Sequence, residues 1–179
     1  MPKSTEEKPS TPRPNTLNDL TAKEWISESV SVWAQKGLGA GHPDAQIERL
    51  HPAPFSFTDV ARVIRMFTKQ GMTVLDPFVG VGSTLKACAV EGRRGIGFEL
   101  YPDFVELVNK RLSTEEIVSD HPQVAQTVLQ GDARILSGKL DADSVDLIVT
   151  SPPYWGILSK VDHKATQERT DHGLSTHYG

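Results

Sequence analysis

The sequence predicts an α/β fold with a mostly parallel β-sheet, in one domain or part of one. Two observations carry this prediction. Short runs of β-branched and apolar residues alternate with segments whose apolar residues recur every three to four positions, a pattern typical of parallel sheets with helical crossovers. The composition is also globular, because 37% of the 179 residues are hydrophobic and 23% are charged.

Composition excludes several classes of protein. No run approaches the ~20 consecutive apolar residues of a membrane span. The N-terminus lacks the apolar core of a secretory signal, so we expect a cytoplasmic protein. The single cysteine, Cys88, excludes an internal disulfide and an all-cysteine metal site within one chain. A net charge of −4 excludes a surface that is basic throughout, so any contact with nucleic acid has to be local or supplied by another segment.

The first elements are a tail and two helices. Residues 1–16 hold prolines among polar residues and predict a disordered tail. The segment 17–33 predicts a helix around Trp25. A second helix is predicted where apolar residues share one face, at Val60, Val63, Ile64 and Phe67. Ser56 or Thr58 can cap its start.

Strands and helices then alternate. We predict a strand at 73–75, a helix at 83–91, a strand at 95–100, a helix at 102–112, and strands at 127–130 and 145–150. The fourth strand is apolar on both faces, as in a buried parallel strand. These elements predict a domain over residues 17–155. The segment 156–179 is polar without a sustained period and predicts a mobile loop.

A glycine-rich turn lies between the first strand and its helix, in the sequence Asp76-Pro77-Phe78-Val79-Gly80-Val81-Gly82-Ser83-Thr84. Two glycines let a ligand approach the backbone, and the N-terminus of the next helix favours an anionic group. The alternative is a tight turn that needs glycine only for its geometry, since Gly-x-Gly alone is a weak indicator of a nucleotide cofactor.

Acidic residues end the next two strands. Glu99 closes the segment GIGFEL, where a carboxylate can accept hydrogen bonds from two ribose hydroxyls. Asp132 ends the third strand, where it can accept one from an adenine amino group. Each residue also fits an ordinary role, Glu99 as a solvated strand-end carboxylate and Asp132 as a turn aspartate.

The fourth strand ends in the segment Thr150-Ser151-Pro152-Pro153-Tyr154-Trp155. Two consecutive prolines form a rigid, extended corner without backbone donors. The Ser151 oxygen and the Pro152 carbonyl are then acceptors that can hold an exocyclic amino group, while Tyr154 offers an aromatic face for a base. The alternative, a proline-rich turn with both aromatics packed inward, does not explain why this segment ends a strand beside a cofactor-type turn.

Together, DPFVGVGST, GIGFEL, GDA and TSPPYW resemble the amino-group DNA methyltransferases that use S-adenosylmethionine. HPAPF, at 51–55, resembles their cofactor motif upstream of the glycine turn, and the resemblance covers roughly residues 17–178. It implies a Rossmann-like methyltransferase sheet of about seven strands, of which about four are counted here. The expectation is that a missing C-terminal half or a second subunit supplies the rest.

The resemblance also implies site residues. Around the methionine end and the sugar of the cofactor it places Phe55, Asp76, Phe78, Gly80 and Gly82, with Ser83 and Thr84 also at the cofactor. It gives the ribose hydroxyls to Glu99 and the adenine to Asp132. A base flipped out of double-stranded DNA would be held by Ser151, Pro152, Pro153 and Tyr154. No metal is expected, and Cys88 is predicted to be packed core rather than a nucleophile of C5-cytosine chemistry.

Serine at position 151 favours N4 of cytosine as the methyl acceptor. The family has Ser there in most cytosine-N4 enzymes and Asp or Asn in most adenine-N6 enzymes, and adenine-N6 methylation is the alternative. A second alternative is a truncated or split subunit that binds cofactor, pairs with a partner and is itself inactive. A small-molecule or RNA methyltransferase is a weaker one, because the full glycine-turn pattern with SPPYW indicates DNA.

Overall fold

The computed structural model describes residues 14–34, 38–39, 41–51, 55–114, 117, 119–153 and 163–174. Its helices are α1 (Ala22–Glu28), α2 (Pro43–Glu48), α3 (Phe57–Phe67), α4 (Ser83–Glu91), α5 (Pro102–Thr114) and α6 (His163–Asp171), with a 3-10 helix at Ala133–Gly138. Its strands are β1 (Thr73–Asp76), β2 (Arg94–Glu99), β3 (Thr127–Gln130) and β4 (Leu147–Ile148). Residues 1–13 of the predicted tail, Tyr154 and Trp155 lie outside the described residues.

The four strands form one parallel sheet in the order β3-β2-β1-β4. This is the order in which a Rossmann-like sheet begins, so the predicted fold class is confirmed. In the register, Asp76 pairs with Gly97 and Leu75 with Ile148. Because all strands run the same way, the segments that follow them meet at one edge of the sheet.

Apolar clusters hold the helices on this sheet. One cluster joins α3, β1 and α4 through Val60, Ala61, Ile64, Val74, Ala87 and Cys88. Cys88 is fully buried there, which confirms its prediction as packed core. Two further clusters bury residues of the glycine turn: Val79 packs with Leu85 and Val108, and Val81 packs near the start of α5. The turn is therefore fixed by the core on both sides of Gly80.

Helix α3 differs from its prediction in detail. Val60 and Ile64 are buried as expected, but Phe67 is exposed and Met66 is buried instead. Ser56 is the N-cap residue, yet its side chain makes no capping hydrogen bond.

The capping role passes to a glutamate of another helix. Glu48 on α2 accepts a hydrogen bond from the Phe57 N–H at 2.9 Å. A residue 9 positions away in sequence thus satisfies the first free donor of α3.

The fourth strand is shorter than predicted. Pairing with β1 extends only over Leu147 and Ile148 instead of 145–150. Val149 packs with Leu147 against the α3–α4 cluster, but Ile148 is 59% exposed on the other face. The apolar pattern is typical of a strand buried on both faces, but in the described part of the chain no element covers Ile148, so this apolar side chain is exposed.

The segment predicted as a loop after Trp155 contains a helix, α6. Its sequence is too polar to show a helical period. It packs through Arg169, which is buried, and just beyond its end through Leu174, which is buried in a cluster with Leu50, Val81 and Phe104. The prediction of a loop throughout 156–179 is wrong for this reason.

Helix α2 has no counterpart among the predicted elements, because Pro43 after several glycines is typical of a break in the chain. The proline instead occupies the first turn of the helix, where its missing N–H costs nothing.

The longest helix among the described residues, α5, has 13 residues. None of the helices in this part of the chain has the length and apolar character of a membrane span.

Candidate active site

The glycine turn makes a tight connection from β1 to α4. Gly80 and Gly82 adopt φ angles of 51° and 83°, which are left-handed and favour glycine. The Val79 N–H donates to the Phe98 carbonyl at 2.9 Å, so the turn is held against β2. A Cβ on Gly80 would lie 2.8 Å from the His51 ring, which leaves no room for a side chain. Both glycines are therefore required by backbone conformation.

A buried ion cluster supports this turn from behind. The Lys86 ammonium donates to both oxygens of Asp44, and the Arg111 guanidinium donates to Asp44 and, at 2.9 Å, to the Val81 carbonyl. Burial favours the neutral form of Asp44, but the two cations outweigh it and hold the pKa of that carboxyl below its usual range. Helices α2, α4 and α5 thus fix one carbonyl of the glycine turn.

Glu99 is aimed by two backbone donors. The Gly80 N–H donates to its Oε2 atom and the Tyr101 N–H to its Oε1 atom, each at 3.0 Å. The residue is 8% exposed, and burial raises the pKa of its carboxyl. Each carboxylate oxygen can accept more than one hydrogen bond. Acceptor capacity therefore remains on both oxygens for a ligand that carries two hydroxyls.

Asp132 follows β3 and begins the 3-10 helix. Its carboxylate accepts from the backbone N–H of Arg134 at 2.8 Å and from the Arg134 guanidinium. Hydrogen bonds from that guanidinium lower the pKa of Asp132 to about 2. The carboxylate is thus ionised at neutral pH and acts only as an acceptor.

The segments that follow the four strands line one cavity of about 270 Å³. It is bounded by Pro77–Phe78, Phe98–Tyr101, Gly131–Ala133 and Ser151–Pro153, with His51 beside them. Glu99, Asp132, Phe78 and the described part of the predicted base-holding segment therefore share one site. Tyr154 lies outside the described residues, so its stacking role stays a prediction.

A second, smaller cavity adjoins the first. Phe55, Gly80 and Ser83 line it, and it shares Phe78 and Ser151 with the larger one. His51 also borders both cavities. The structure thus places Phe55, Gly80 and Ser83 at one end of the site, while their roles in binding stay predictions.

Three residues predicted at the cofactor line neither cavity: Asp76, Gly82 and Thr84. Asp76 and Thr84 are fully buried, and the Thr84 hydroxyl donates a hydrogen bond to the Asp76 carboxylate. Gly82 is the N-cap residue of α4. Burial raises the pKa of the Asp76 carboxyl. These residues shape the turn from inside the protein, and the structure shows no surface on them that faces the site.

His51 is the site residue that the sequence analysis missed. Its ring covers Gly80 and meets the Phe104 ring edge-on, with centroids 5.8 Å apart. The sequence did contain a signal for His51, because it is the first residue of the HPAPF segment, but only Phe55 of that segment was predicted to lie at the site. A histidine between both cavities is placed to contact whatever fills them.

Cys88 lines neither cavity, and burial raises the pKa of its thiol. A buried, protonated thiol away from the site is not a nucleophile.

A family model described as DNA methylase matches residues 2–110 of the chain. The type II methyltransferase M.BglI of Bacillus subtilis is 30% identical over 132 residues, which cover 74% of this chain and 36% of that protein. The type II methyltransferase M.MjaI of Methanocaldococcus jannaschii is 35% identical over 92 residues, covering 51% and 28%. The chain thus spans only about a third of the length of these relatives.

Solved structures overlap with the fold more loosely. A putative DNA modification methylase from Thermus thermophilus, complexed with S-adenosyl-L-methionine, is 28% identical with a TM-score of 0.37, over 66% of this chain and 45% of that one. The E. coli protein YjhP is 19% identical with a TM-score of 0.45, over 74% and 50%.

Proposed function

The chain belongs to the DNA methylase family, and we propose that it serves the transfer of a methyl group from S-adenosyl-L-methionine to an exocyclic amino nitrogen of DNA, N4 of cytosine. One observation carries the proposal. The glycine turn, Glu99, Asp132 and the Ser151–Pro153 corner all border the same cavity, so the groups suited to a nucleoside cofactor and those suited to a base lie side by side.

The lining of the cavity fits an adenosine. A purine and a ribose present flat apolar faces, two hydroxyl donors and one amino donor. The cavity presents the aromatic rings of Phe78 and Phe98 together with two carboxylates, Glu99 and Asp132. In the proposal, Glu99 accepts from the ribose hydroxyls and Asp132 from the adenine amino group, and Phe55, Gly80 and Ser83 enclose the methionine end.

The corner after β4 supplies acceptors for the base. Neither Pro152 nor Pro153 has a backbone N–H, so the Pro152 carbonyl and the Ser151 oxygen face an amino group without a competing donor from these prolines. Two acceptors that hold both amino hydrogens turn the nitrogen lone pair toward the cavity. When bound, the cofactor supplies an activated methyl group on a positively charged sulfur. The chain's contribution to rate is then mainly positioning.

The target base has to leave the duplex to reach this corner, and we assign Tyr154 to stack on it. Serine at position 151 favours cytosine over adenine in this proposal. The buried Cys88 argues against C5-cytosine chemistry by this chain, since that reaction needs a thiolate.

We place recognition of the DNA sequence in polypeptide outside these 179 residues, either continuous with the chain or in a second subunit. The relatives carry about two-thirds of their length beyond the matched region, which supports this assignment. An inactive subunit that binds cofactor and pairs with a partner is the second candidate.

Nucleoside analysis tests the reaction. DNA from cells that carry or lack the gene is digested and its nucleosides are separated by mass spectrometry. The expected product is N4-methylcytosine that appears only when the gene is present. N6-methyladenine would show that the target base is adenine instead of cytosine. 5-Methylcytosine would contradict the proposed mechanism. Calorimetric titration of the chain with S-adenosylmethionine tests the cofactor separately; binding without any gene-dependent methylation favours the inactive subunit.

A further inference from the structure

Asp76 is a buried carboxylate that the proposed reaction does not use. It is fully buried at the end of β1 and lines neither cavity. Burial of a carboxylate is costly unless hydrogen bonds satisfy it. The contacts that satisfy Asp76 therefore indicate what it does.

Three donors from two parts of the site converge on this carboxylate. The Phe78 N–H donates to Oδ1 at 3.0 Å, and the Thr84 hydroxyl donates to Oδ2 at 2.5 Å. Both come from the glycine turn and the first turn of α4. The third donor is the Thr150 hydroxyl, 2.8 Å from Oδ1 and 74 residues away in sequence.

Thr150 is the residue directly before the Ser151–Pro153 corner. Val149 donates its N–H to the Leu75 carbonyl at 3.1 Å, which is the last backbone hydrogen bond between described residues before the corner. Beyond this point the two prolines have no N–H with which to hold the segment in place. Among the described residues, the hydrogen bond of the Thr150 side chain is then the next link between this segment and β1.

We propose that Asp76 is a positioning residue, whose carboxylate ties Thr150 to the glycine turn and so fixes the distance between the cofactor-binding and base-holding halves of the cavity. The assignment of the two halves of the cavity rests on the proposed function, but the hydrogen bond between Thr150 and Asp76 is observed independently of it. An aspartate that served only the turn would need Phe78 and Thr84 alone. The bond from Thr150 is the part that a role confined to the turn leaves unexplained.

Substitutions at Thr150 test the tie without touching the cavity. Thr150→Val removes the hydroxyl at nearly constant shape, and Thr150→Ser keeps it. Thr127→Val is the matched control, because Thr127 is an exposed threonine on β3 away from the site. Amide hydrogen exchange is followed by mass spectrometry at Ile148, Val149 and Ser151, together with the calorimetric Kd for S-adenosylmethionine.

The expected result is faster exchange at these amides in Thr150→Val, by about tenfold, while Thr150→Ser and Thr127→Val match the wild type. The Kd for the cofactor should stay within about twofold. In the assembled enzyme, kcat of Thr150→Val should fall roughly 10- to 100-fold, the cost of a misplaced reacting group, and Thr150→Ser should restore it.

Unchanged exchange in Thr150→Val would overturn the proposal, as would a Thr150→Ser variant that is as impaired as Thr150→Val. The proposed function would instead be refuted if the wild-type chain bound no cofactor and cells that carry the gene showed no methylation. The exchange comparison would still decide whether Asp76 holds the corner.

Discussion

Replacing Glu99 by glutamine should weaken the binding of S-adenosylmethionine while the chain stays folded. The carboxylate has two oxygens, and each already accepts one backbone N–H at 3.0 Å. Glutamine keeps the shape but converts one oxygen into a donor. That donor then faces either the Gly80 or the Tyr101 N–H, and one ribose hydroxyl loses its acceptor.

The size of the effect follows from these contacts. A hydrogen bond to a charged group is worth about 1.5–3 kcal/mol, and an unsatisfied buried donor costs about 1–3 kcal/mol. Loss of the ribose contact should therefore raise Kd by roughly 12- to 140-fold, taking 1.5–3 kcal/mol at 1.4 kcal/mol per factor of ten. The unpaired N–H should lower the melting temperature by about 2–12 °C, at about 2–4 °C per kcal/mol.

Calorimetric titration and thermal unfolding separate the two effects. Glu106→Gln is the matched control, since Glu106 is an exposed glutamate on α5, and its Kd should stay within about twofold of the wild type. Equal Kd values for the wild type and Glu99→Gln, with both chains folded, would refute the assignment of Glu99 to the ribose.

The pH dependence gives an independent check on the same residue. Burial raises the pKa of Glu99 above the ordinary value of 4.5. On acidification the wild type should therefore lose cofactor affinity at a higher pH than an ordinary glutamate would cause, whereas Glu99→Gln should not show this loss. The sign for stability is opposite: the contribution of Glu99 is present below pH 4.5 and is lost as pH rises through the raised folded-state pKa.

Three further predictions concern the glycine turn, the Asp132–Arg134 pair after β3, and the edge strand β4. Gly80→Ala should lower the denaturation midpoint, because it places a Cβ 2.8 Å from the His51 ring at a φ of 51°; an unchanged midpoint would contradict the turn geometry. Arg134→Ala should raise the pKa of Asp132 from about 2 toward its ordinary ~3.9, as followed by NMR titration; a pKa that stays near 2 would show that Arg134 is not its cause. The 179-residue chain alone should self-associate in light scattering and transfer no methyl group. Ile148→Lys should reduce the association, since β4 is an edge strand among the described strands and Ile148 is 59% exposed. A monodisperse, active wild-type monomer would contradict this prediction.

Local sequence signals predicted most of the α/β elements. The strand at 127–130 and the helix at 83–91 agree with the structure residue for residue, because glycines and apolar periods mark their ends. Helix α6 was missed because its own residues are polar; it packs through the buried Arg169 and through Leu174 beyond its end. A signal of that kind depends on the tertiary fold and is not visible in a local window.

Part of the candidate site was likewise predictable from the sequence, and part depends on the tertiary fold. Parallel strands bring the segments after them to one edge, so the meeting of Glu99, Asp132 and Ser151 was predictable from topology alone. The direction of a side chain was not. Asp76 belongs to the same turn as Phe78, yet its carboxylate points into the protein, where Thr84 and Thr150 donate to it, while Phe78 lines the cavity.

The strand order also explains why the cofactor turn and the base corner are neighbours although Asp76 and Thr150 lie 74 residues apart along the chain. From β1 the chain adds β2 and then β3 on one side, and it returns to place β4 on the other side of β1. Ligands of such sheets bind where the order reverses, at the carboxyl ends of the strands. Here the reversal lies between β1 and β4, and these two strands end in Asp76 and in the segment leading to Thr150. Their hydrogen bond crosses the reversal point, so its loss should shift the base corner relative to the cofactor turn while the turn itself keeps its shape.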